Sequence, residues 1–247
     1  MSKYTEMLSS LWEKAKENLL FLLVCLGIAA LLFAIAAIAE KTAPKTEEAG
    51  RSSVRRITVT ALCAALGAVL MLFDIPLFFA PSFYKLDFSE VPVLICGFAL
   101  GPVAGVVCEF LKVLLKLLIK GTTTAFVGDF SSFVIGCALV LPATVLYRYK
   151  KTKKRALIGL ITGSLVMTVF GSLFNTFYLI PQYARLFHMP LDTIVAAGTA
   201  VNPYINSVTT LVLFAVVPFN LVKSVIVSAL TMFLYKFLKN ILLGRNK

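Results

Sequence analysis

Long apolar runs separated by short polar segments dominate the chain. Residues 18–39 form an uncharged run of 22 residues, which is enough for a helix that crosses the roughly 30 Å hydrocarbon core of a bilayer. The runs that follow are continuous and do not alternate with period two, so they predict transmembrane helices rather than the strands of a barrel. The pattern therefore predicts an all-α integral membrane protein.

Six further helices are predicted beyond this first run. They cover residues 57–79, 91–100, 103–119, 126–147, 157–178 and 217–238. A polar loop at 81–89 separates the first two, and a long, half-apolar connection at 185–215 precedes the last. The chain then divides into an N-terminal polar segment (1–17), an extra transmembrane helix (18–39), a charged cytoplasmic linker (40–56), a six-helix core (57–240) and a basic cytoplasmic tail (241–247).

The composition also indicates a multi-pass protein of the cell membrane. Of the 247 residues 59% are hydrophobic and 15% are charged, and a soluble domain of this size cannot hide so much apolar surface. The net charge of +12 is concentrated around Arg55, at 148–155 and in the C-terminal tail. Six crossings bring these three clusters to the cytoplasmic side, so the C-terminus is predicted to be cytoplasmic. Their expected partner is membrane lipid and not nucleic acid.

Ionisable side chains lie inside or beside the predicted spans, where a charge is costly unless it faces the bundle or a wet cavity. Glu109, Lys112, Lys116 and Lys120 recur at spacings of three and four, so they share one helix face. One interpretation is that they form a functional site. The other is that Glu109 pairs with Lys112 while Lys116 and Lys120 extend to the membrane surface. Asp129, near the start of the next helix, is either a helix cap or a site residue.

Two polar side chains interrupt the last apolar helix. Asn220 and Lys223 are three residues apart, so both project from one face just after Pro218. Asn175 occupies a similar place in the fifth core helix. We interpret these residues as ligand contacts, and the alternative for Lys223 is a structural pair with Asp129 or with a backbone carbonyl.

Small residues mark the first core helix for close packing. Ala61 and Ala65 are four residues apart, as are Ala64 and Ala68, a spacing that lets another helix approach closely. The partner is either another helix of this bundle or a separate subunit.

Four pieces of the sequence resemble one family. They are Leu86-Asp-Phe-Ser-Glu-Val-Pro92, Gly101-Pro-Val-Ala-Gly105 with Lys112 after it, Phe174-Asn-Thr-Phe, and Pro218-Phe-Asn-Leu-Val-Lys223. Together they are similar to the riboflavin-specific substrate-binding (S) subunits of energy-coupling factor (ECF) vitamin transporters, in collinear order over roughly residues 54–240. The resemblance implies a six-helix S-component core to which the first helix is an addition.

The same resemblance implies a function, partners and a site. The function is high-affinity riboflavin binding at the outer face and uptake, driven by a transmembrane coupling subunit with two cytoplasmic ATPases. Carried over position by position, it implies riboflavin contacts from Leu86, Asp87, Asn175, Asn220 and Lys223, with Asp129 and Lys112 as further candidates and Ala61 and Ala65 as the docking stripe for the coupling subunit. It implies no cofactor, metal or catalytic group, because riboflavin is the transported ligand.

Other functions need other residues. An S subunit for anionic folate needs more cationic loop residues than Lys85 and Lys120, and one for the thiamine cation needs a carboxylate pocket. A membrane-embedded enzyme acting on lipid head groups has Glu109, Asp129 and the lysines as acid and base, but no paired carboxylates at a workable spacing. The sequence contains no Gly-x-x-x-x-Gly-Lys-[Ser/Thr], so we predict a transport subunit without its own ATPase and no enzyme activity.

Overall fold

The computed structural model describes residues 19–43, 53–81, 83–122 and 124–242 as a helical bundle. In chain order the elements are α1 (Leu19–Thr42), α2 (Ser53–Leu72), β1 (Ile75–Pro76), β2 (Lys85–Leu86), α3 (Glu90–Leu100), α4 (Pro102–Lys120), α5 (Val127–Tyr149), α6 (Lys153–Phe174), α7 (Ile180–Leu186), α8 (Leu191–Thr199), α9 (Val208–Leu211) and α10 (Val217–Leu242). Two π-helical segments, Asn175–Leu179 and Val212–Val216, join α6 to α7 and α9 to α10. The predicted segment 1–17 lies outside the described residues, as do most of the linker 40–56 and of the tail 241–247.

Five helical stretches of the described chain are long and apolar enough to cross a membrane. They are Leu23–Thr42, Ser53–Leu72, Val127–Tyr149, Lys153–Leu186 and Val208–Tyr235. Helix α3 is shorter, with 11 residues, and ionisable side chains interrupt the apolar surface of α4. The prediction of an all-α integral membrane protein is confirmed.

The first core helix is shorter than the hydropathy pattern predicts. It ends at Leu72, because Pro76 lacks a backbone donor and disfavours helical geometry in the residue before it. Residues 73–81 and 83–89 instead belong to a loop that contains the antiparallel hairpin of β1 and β2. Asp74 and Lys85 form an ion pair of 2.8 Å across this hairpin. The apolar residues of this segment therefore belong to a loop at the end of the bundle.

The last two core helices are longer than predicted. The pattern predicts the fifth over 157–178, whereas the helix continues through a π-helical segment to Leu186. The predicted connection at 185–215 contains α8, and the final helix already begins there with α9. At its start, the Ser207 and Thr210 side chains each accept a backbone N–H of the other residue, which is a capping box.

Helix α3 lies at the centre of the bundle. All of its residues are buried, and it packs against α2, α4, α5 and α10. The small-residue pattern of α2 divides between two faces, because Ala64 and Ala68 are buried whereas Ala61 and Ala65 are exposed. One pair therefore serves packing inside the bundle, and the other pair remains available on the surface.

Helix α1 packs on the outside of this core, against α4 and α5. Its buried residues Cys25, Ala29 and Ala36 form one apolar cluster with residues of those two helices, including Val113 and Phe133. The contact does not involve the exposed alanines of α2. The additional helix therefore covers a different side of the bundle.

One carboxylate connects α1 to three other helices at one end of the bundle. Glu40 Oε1 lies 3.4 Å from Arg56 on α2 and 3.6 Å from Arg148 on α5. Glu40 Oε2 accepts the Val103 N–H at 3.1 Å, a donor that α4 cannot satisfy within its own first turn. Gly101 precedes α4 with a φ of +106°, and a side chain at this position would collide with Arg148.

We expect Glu40→Gln to lower the thermal unfolding midpoint of the purified protein by about 2–4 °C, or about 1 kcal/mol. The amide still accepts the Val103 N–H but loses the charge that holds both arginines. Lys41→Gln is the matched control, since Lys41 is exposed on the next position of the same helix. An equal midpoint in the two variants would mean that the Glu40 contacts do not stabilise the fold.

Candidate ligand-binding site

A cavity of about 820 Å³ lies at the end of the bundle opposite to Glu40. Helix α3 connects these two ends of the bundle. It begins at the cavity with Glu90 and ends next to Gly101, which lies at the Glu40 end. Residues of the 73–89 loop, of α4 to α8 and of α10 complete the wall. The volume lies within the roughly 300–1,000 Å³ of small-molecule sites.

Lys223 on α10 lies at the wall of this cavity. Its ammonium contacts Asp87 Oδ2 at 2.9 Å and Glu90 Oε1 at 3.2 Å. The alternative in which Lys223 pairs with Asp129 is wrong, because Asp129 pairs with Lys116. An ammonium has three N–H donors, so two carboxylate partners leave one donor for a ligand.

Asp87 links the loop to α10. Burial alone would raise the pKa of Asp87, but the Lys223 and Lys112 ammonium groups hold it well below its usual range. The Ser89 N–H also donates to Asp87 Oδ1 at 2.9 Å. Asp87 is therefore ionised at neutral pH, and it orients Lys223 at the cavity wall.

Asn220 lies one helical turn before Lys223 and also lines the cavity. Its side chain is 3% exposed, and its Nδ2 has no hydrogen-bond partner among the described residues. Gly171 leaves the space for this amide, since an added Cβ would lie 3.0 Å from Nδ2. A buried donor without a partner has a free-energy cost, and a ligand acceptor would remove it.

Asn175 lies on the π-helical segment between α6 and α7, a type of irregularity that is frequent at functional sites. Its Nδ2 donates to the Gly171 carbonyl at 2.7 Å, and its Oδ1 accepts the Tyr84 hydroxyl at 2.9 Å. Burial raises the pKa of Tyr84, so the phenol remains a donor. Both Asn175 and Tyr84 line the cavity.

Asp129 also lines the cavity, but as part of a different ion pair. It lies in the first turn of α5 and not at the cap, which is Phe126. Asp129 Oδ1 lies 2.5 Å from Lys116 Nζ, and Oδ2 accepts the Thr122 hydroxyl at 2.7 Å. The alternative that Asp129 is a helix cap is therefore wrong. The alternative that Lys116 extends to the membrane surface is also wrong.

Two of the candidate residues do not line the cavity. Leu86 is buried in β2, and Lys112 has no exposed surface. The predicted pairing of Lys112 with Glu109 is confirmed, at 2.6 Å, but it lies inside the bundle. The structure therefore brings Asp87, Asn175, Asn220, Lys223 and Asp129 to the cavity and places Leu86 and Lys112 behind it.

Glu90 and Tyr84 line the cavity but were not candidates from the sequence, whereas Lys116 was a candidate only as one of the lysines that share a face of α4. Glu90 was the one with a usable signal, because it is a carboxylate in the first turn of an otherwise apolar, buried helix. Tyr84 had no distinguishing pattern, and the spacing of Lys116 on α4 did not indicate its partner. Their partners Asn175 and Asp129 are brought to them only by the packing of α4, α5 and α6.

The ionisable groups of the cavity wall balance each other in charge. The acidic ones are Asp74, Asp87, Glu90 and Asp129, and the basic ones are Lys85, Lys116, Lys120 and Lys223. At the mouth, the hydrogen bond from Lys85 and the charge of Lys120 hold the pKa of Asp74 below its usual range. Each carboxylate has a lysine within 4.0 Å, so the wall has no formal net charge.

These features define a class of protein. It is a multi-pass membrane protein that encloses a small-molecule cavity at one end, with paired charges and amides in the wall. The chain belongs to the family of substrate-specific components of ECF transporters, whose model, described as "ECF transporter, substrate-specific component", matches residues 55–235.

Individual relatives agree with this family. The chain is 31% identical to the riboflavin transporter RibU of Staphylococcus aureus over 188 residues, which is 76% of this chain and 92% of the relative. It is 28% identical to the riboflavin transporter FmnP of Bacillus subtilis, over 75% of this chain and 93% of the relative. A solved structure of the S component of a bacterial ECF transporter superposes with a TM-score of 0.61 at 30% identity, over 77% of this chain and 99% of that one.

Proposed function

We propose that this protein binds riboflavin with high affinity in the cavity and carries it across the cell membrane as the S subunit of an ATP-driven ECF transporter. The observation that carries the proposal is the face of α10 at the cavity, where Lys223 and Asn220 present donors side by side, the Asn220 Nδ2 without a hydrogen-bond partner in the described part of the chain. The imide edge of a flavin ring has the carbonyl acceptors that such donors need.

The cavity wall has the other properties that riboflavin requires. The Tyr84 and Phe219 rings both line it, with centroids 5.5 Å apart, and Phe83 packs on Tyr84 at 4.7 Å. This cluster of rings gives the cavity an aromatic surface on which a flat aromatic ligand can stack. Because the wall has no formal net charge, it suits a neutral vitamin better than anionic folate or cationic thiamine. The paired carboxylates likewise do not favour an enzyme acting on lipid head groups, since none is free to act as a base.

The contacts that we propose for riboflavin come from the residues at the wall. They are Asp87, Asn175, Asn220 and Lys223, with Asp129 as a further candidate and Leu86 supporting the loop from behind. Riboflavin acts here as transported ligand, and no cofactor takes part.

The transport cycle requires partners that supply energy. We propose a transmembrane coupling subunit with two cytoplasmic ATPases, because the sequence has no phosphate-binding loop of its own. The exposed pair Ala61 and Ala65 on α2 is the proposed docking stripe, since small residues allow a close helix contact. The additional helix α1 packs on another side of the bundle and leaves this stripe open.

We propose that the end with Glu40 faces the cytoplasm and that the cavity faces the outside. Arg56 and the basic loop after α5 lie at the end opposite the cavity, and basic residues are enriched on the cytoplasmic side. This orientation places the C-terminus in the cytoplasm.

Titration of riboflavin into the ligand-free, detergent-purified protein tests the proposed function. We expect stoichiometric quenching of flavin fluorescence at one molecule per chain, and a yellow colour in protein purified from cells that contain the vitamin. Folate and thiamine serve as competitors that should not displace it. Protein that leaves riboflavin fluorescence unchanged would contradict the proposal.

We expect Asn220→Ala to weaken riboflavin binding about tenfold, the effect of losing one well-placed hydrogen bond in a dry site. The ligand-free protein should not become less stable, because the variant removes a buried donor to which no described residue is hydrogen-bonded. Asn206→Ala, at an exposed position in the loop before α9, is the matched control. A ligand-free protein that loses stability with unchanged affinity would assign Asn220 to packing instead.

A further inference from the structure

A chain of ion pairs continues from the cavity wall into the centre of the bundle. Lys112 on α4 contacts Glu109 Oε1 at 2.6 Å, Glu90 Oε1 at 3.5 Å and Ser89 Oγ at 3.0 Å. Its side chain has no exposed surface, and it does not line the cavity. The proposed function does not use this lysine, which is buried where a charge is expensive.

Glu90 connects Lys112 to the ligand-facing lysine. Glu90 Oε1 lies between the two ammonium groups, 3.5 Å from Lys112 and 3.2 Å from Lys223. Glu90 Oε2 accepts the hydroxyl of Ser89, which in turn accepts an N–H of Lys112. Lys112 therefore holds the Glu90 carboxylate in place, and that carboxylate in turn holds the Lys223 ammonium from one side.

Two glycines on neighbouring helices leave space for this arrangement. On α2, a Cβ added at Gly67 would lie 3.1 Å from Lys112 Cγ and Cδ and 3.2 Å from the Ser89 carbonyl oxygen. On α5, a Cβ added at Gly136 would overlap the Glu109 carboxylate. The helices therefore enclose Lys112 and its partners closely, so Lys112 has little freedom to move away from Glu90.

Stability alone is a poor explanation for such a group. A buried ion pair is often no more stabilising than apolar side chains of the same volume, because both charges lose their hydration. A precise position for Lys223 is a better explanation, since a charge-assisted hydrogen bond to a ligand depends strongly on geometry.

We propose that Lys112 is a positioning residue for riboflavin binding. It does not touch the ligand; it fixes Glu90, and through Glu90 it fixes the Lys223 ammonium at the cavity wall. This inference rests on the proposed function of the site, and it replaces the direct contact that the resemblance implied for Lys112.

The double variant Glu109→Gln/Lys112→Met tests the proposal without changing the net charge of the ion-pair chain. We expect riboflavin affinity to fall about tenfold, as for a misplaced charged hydrogen bond, while gel-filtration behaviour and helicity stay native. Glu109→Gln alone keeps the Lys112 ammonium with its partners Glu90 and Ser89 and is the matched control. Breaking this buried pair lowers the stability of the fold, but we expect a riboflavin affinity within about twofold of native in the folded protein. A folded double variant with native affinity would overturn the proposal.

Gly67→Ala displaces Lys112 without removing any charge, and it decides the question if the double variant does not fold. The added methyl group pushes on the Lys112 stem and on the Ser89 carbonyl, while alanine is the better helix former. We expect a folded protein with roughly three- to tenfold weaker binding, on the scale of a small overpacking strain. Gly27→Ala on α1 is the control, because no atom lies within 4 Å of its added Cβ.

The spectrum of bound riboflavin separates positioning from a general structural role. Visible flavin bands respond to hydrogen bonds at the ring carbonyls, so the double variant should shift the bands of saturated protein in the same direction as Lys223→Met. Weaker binding with a native spectrum would show that the loss does not pass through Lys223. If the native chain itself does not bind riboflavin, the proposed function fails, and that result is distinct from either variant's behaviour.

Discussion

Lys223→Met is expected to bind riboflavin about 10- to 100-fold more weakly than the native chain. Methionine keeps the length and apolar stem of the side chain but removes the ammonium, which is the charged donor at the cavity wall. A charge-assisted hydrogen bond in a partly dry site contributes about 1.5–3 kcal/mol, which corresponds to this range of affinity. Quenching of flavin fluorescence, titrated on ligand-free protein in detergent, measures the change.

The substitution also removes the lysine that pairs with Asp87, while Glu90 keeps Lys112, so a second variant is needed. Asp87→Asn/Lys223→Met restores the charge balance of the ion-pair chain, because it removes one acidic and one basic group that lie 2.9 Å apart. If the ammonium itself holds the ligand, the double variant binds as weakly as Lys223→Met. Recovery of native affinity in the double variant would assign the loss to the uncompensated charge of Asp87. Lys154→Met, exposed at the opposite end of the bundle, controls for loss of a lysine.

Ala61→Leu/Ala65→Leu is expected to abolish most riboflavin uptake while leaving riboflavin binding unchanged. Both alanines are exposed on α2, so larger side chains meet no other part of the described bundle. In the proposed transporter they would hold the coupling subunit away from α2, and overpacking of this kind costs about 1–3 kcal/mol, or roughly 5- to 150-fold in docking. Uptake of labelled riboflavin into cells that express all subunits is the measurement.

A matched pair on α1 controls for the added bulk. Ala30 and Ala34 are also four residues apart and exposed, and Ala30→Leu/Ala34→Leu makes the same change on a different side of the bundle. This control should retain native uptake. Uptake that falls equally in both variants would mean that α2 has no special part in docking, and weaker riboflavin binding in the α2 variant would indicate damage to the cavity.

Much of the fold could be predicted from hydropathy because a membrane span is a local property. A continuous apolar run of sufficient length predicts a helix wherever it occurs, as the helices at 19–42 and 127–149 illustrate. The boundaries were less predictable where polar residues lie inside a helix. The capping box at Ser207 and Thr210 begins a helix that the pattern did not reveal, and Pro76 ends one within an apolar stretch.

The site could be predicted in part. The polar residues of α10 stand out because they interrupt an apolar helix, and resemblance to a family added the 86–87 loop and Asn175. Glu90 was missed, since a charged residue near a helix end has many ordinary explanations, and Lys116 was one of two open alternatives for the same reason. Lys112 was a candidate ligand contact, and we infer a different role for it because it does not line the cavity.

The sequence by itself determined the membrane class, most of the helices, the charge asymmetry between the two ends and the intramembrane polar residues, because each of these depends on residues close together in the chain. The tertiary structure decided which charges pair. Lys223 and Asp87 are 136 residues apart and yet lie 2.9 Å from each other. Such a pair forms only when α10 packs beside the loop before α3, and an isolated span carries no information about its distant partner.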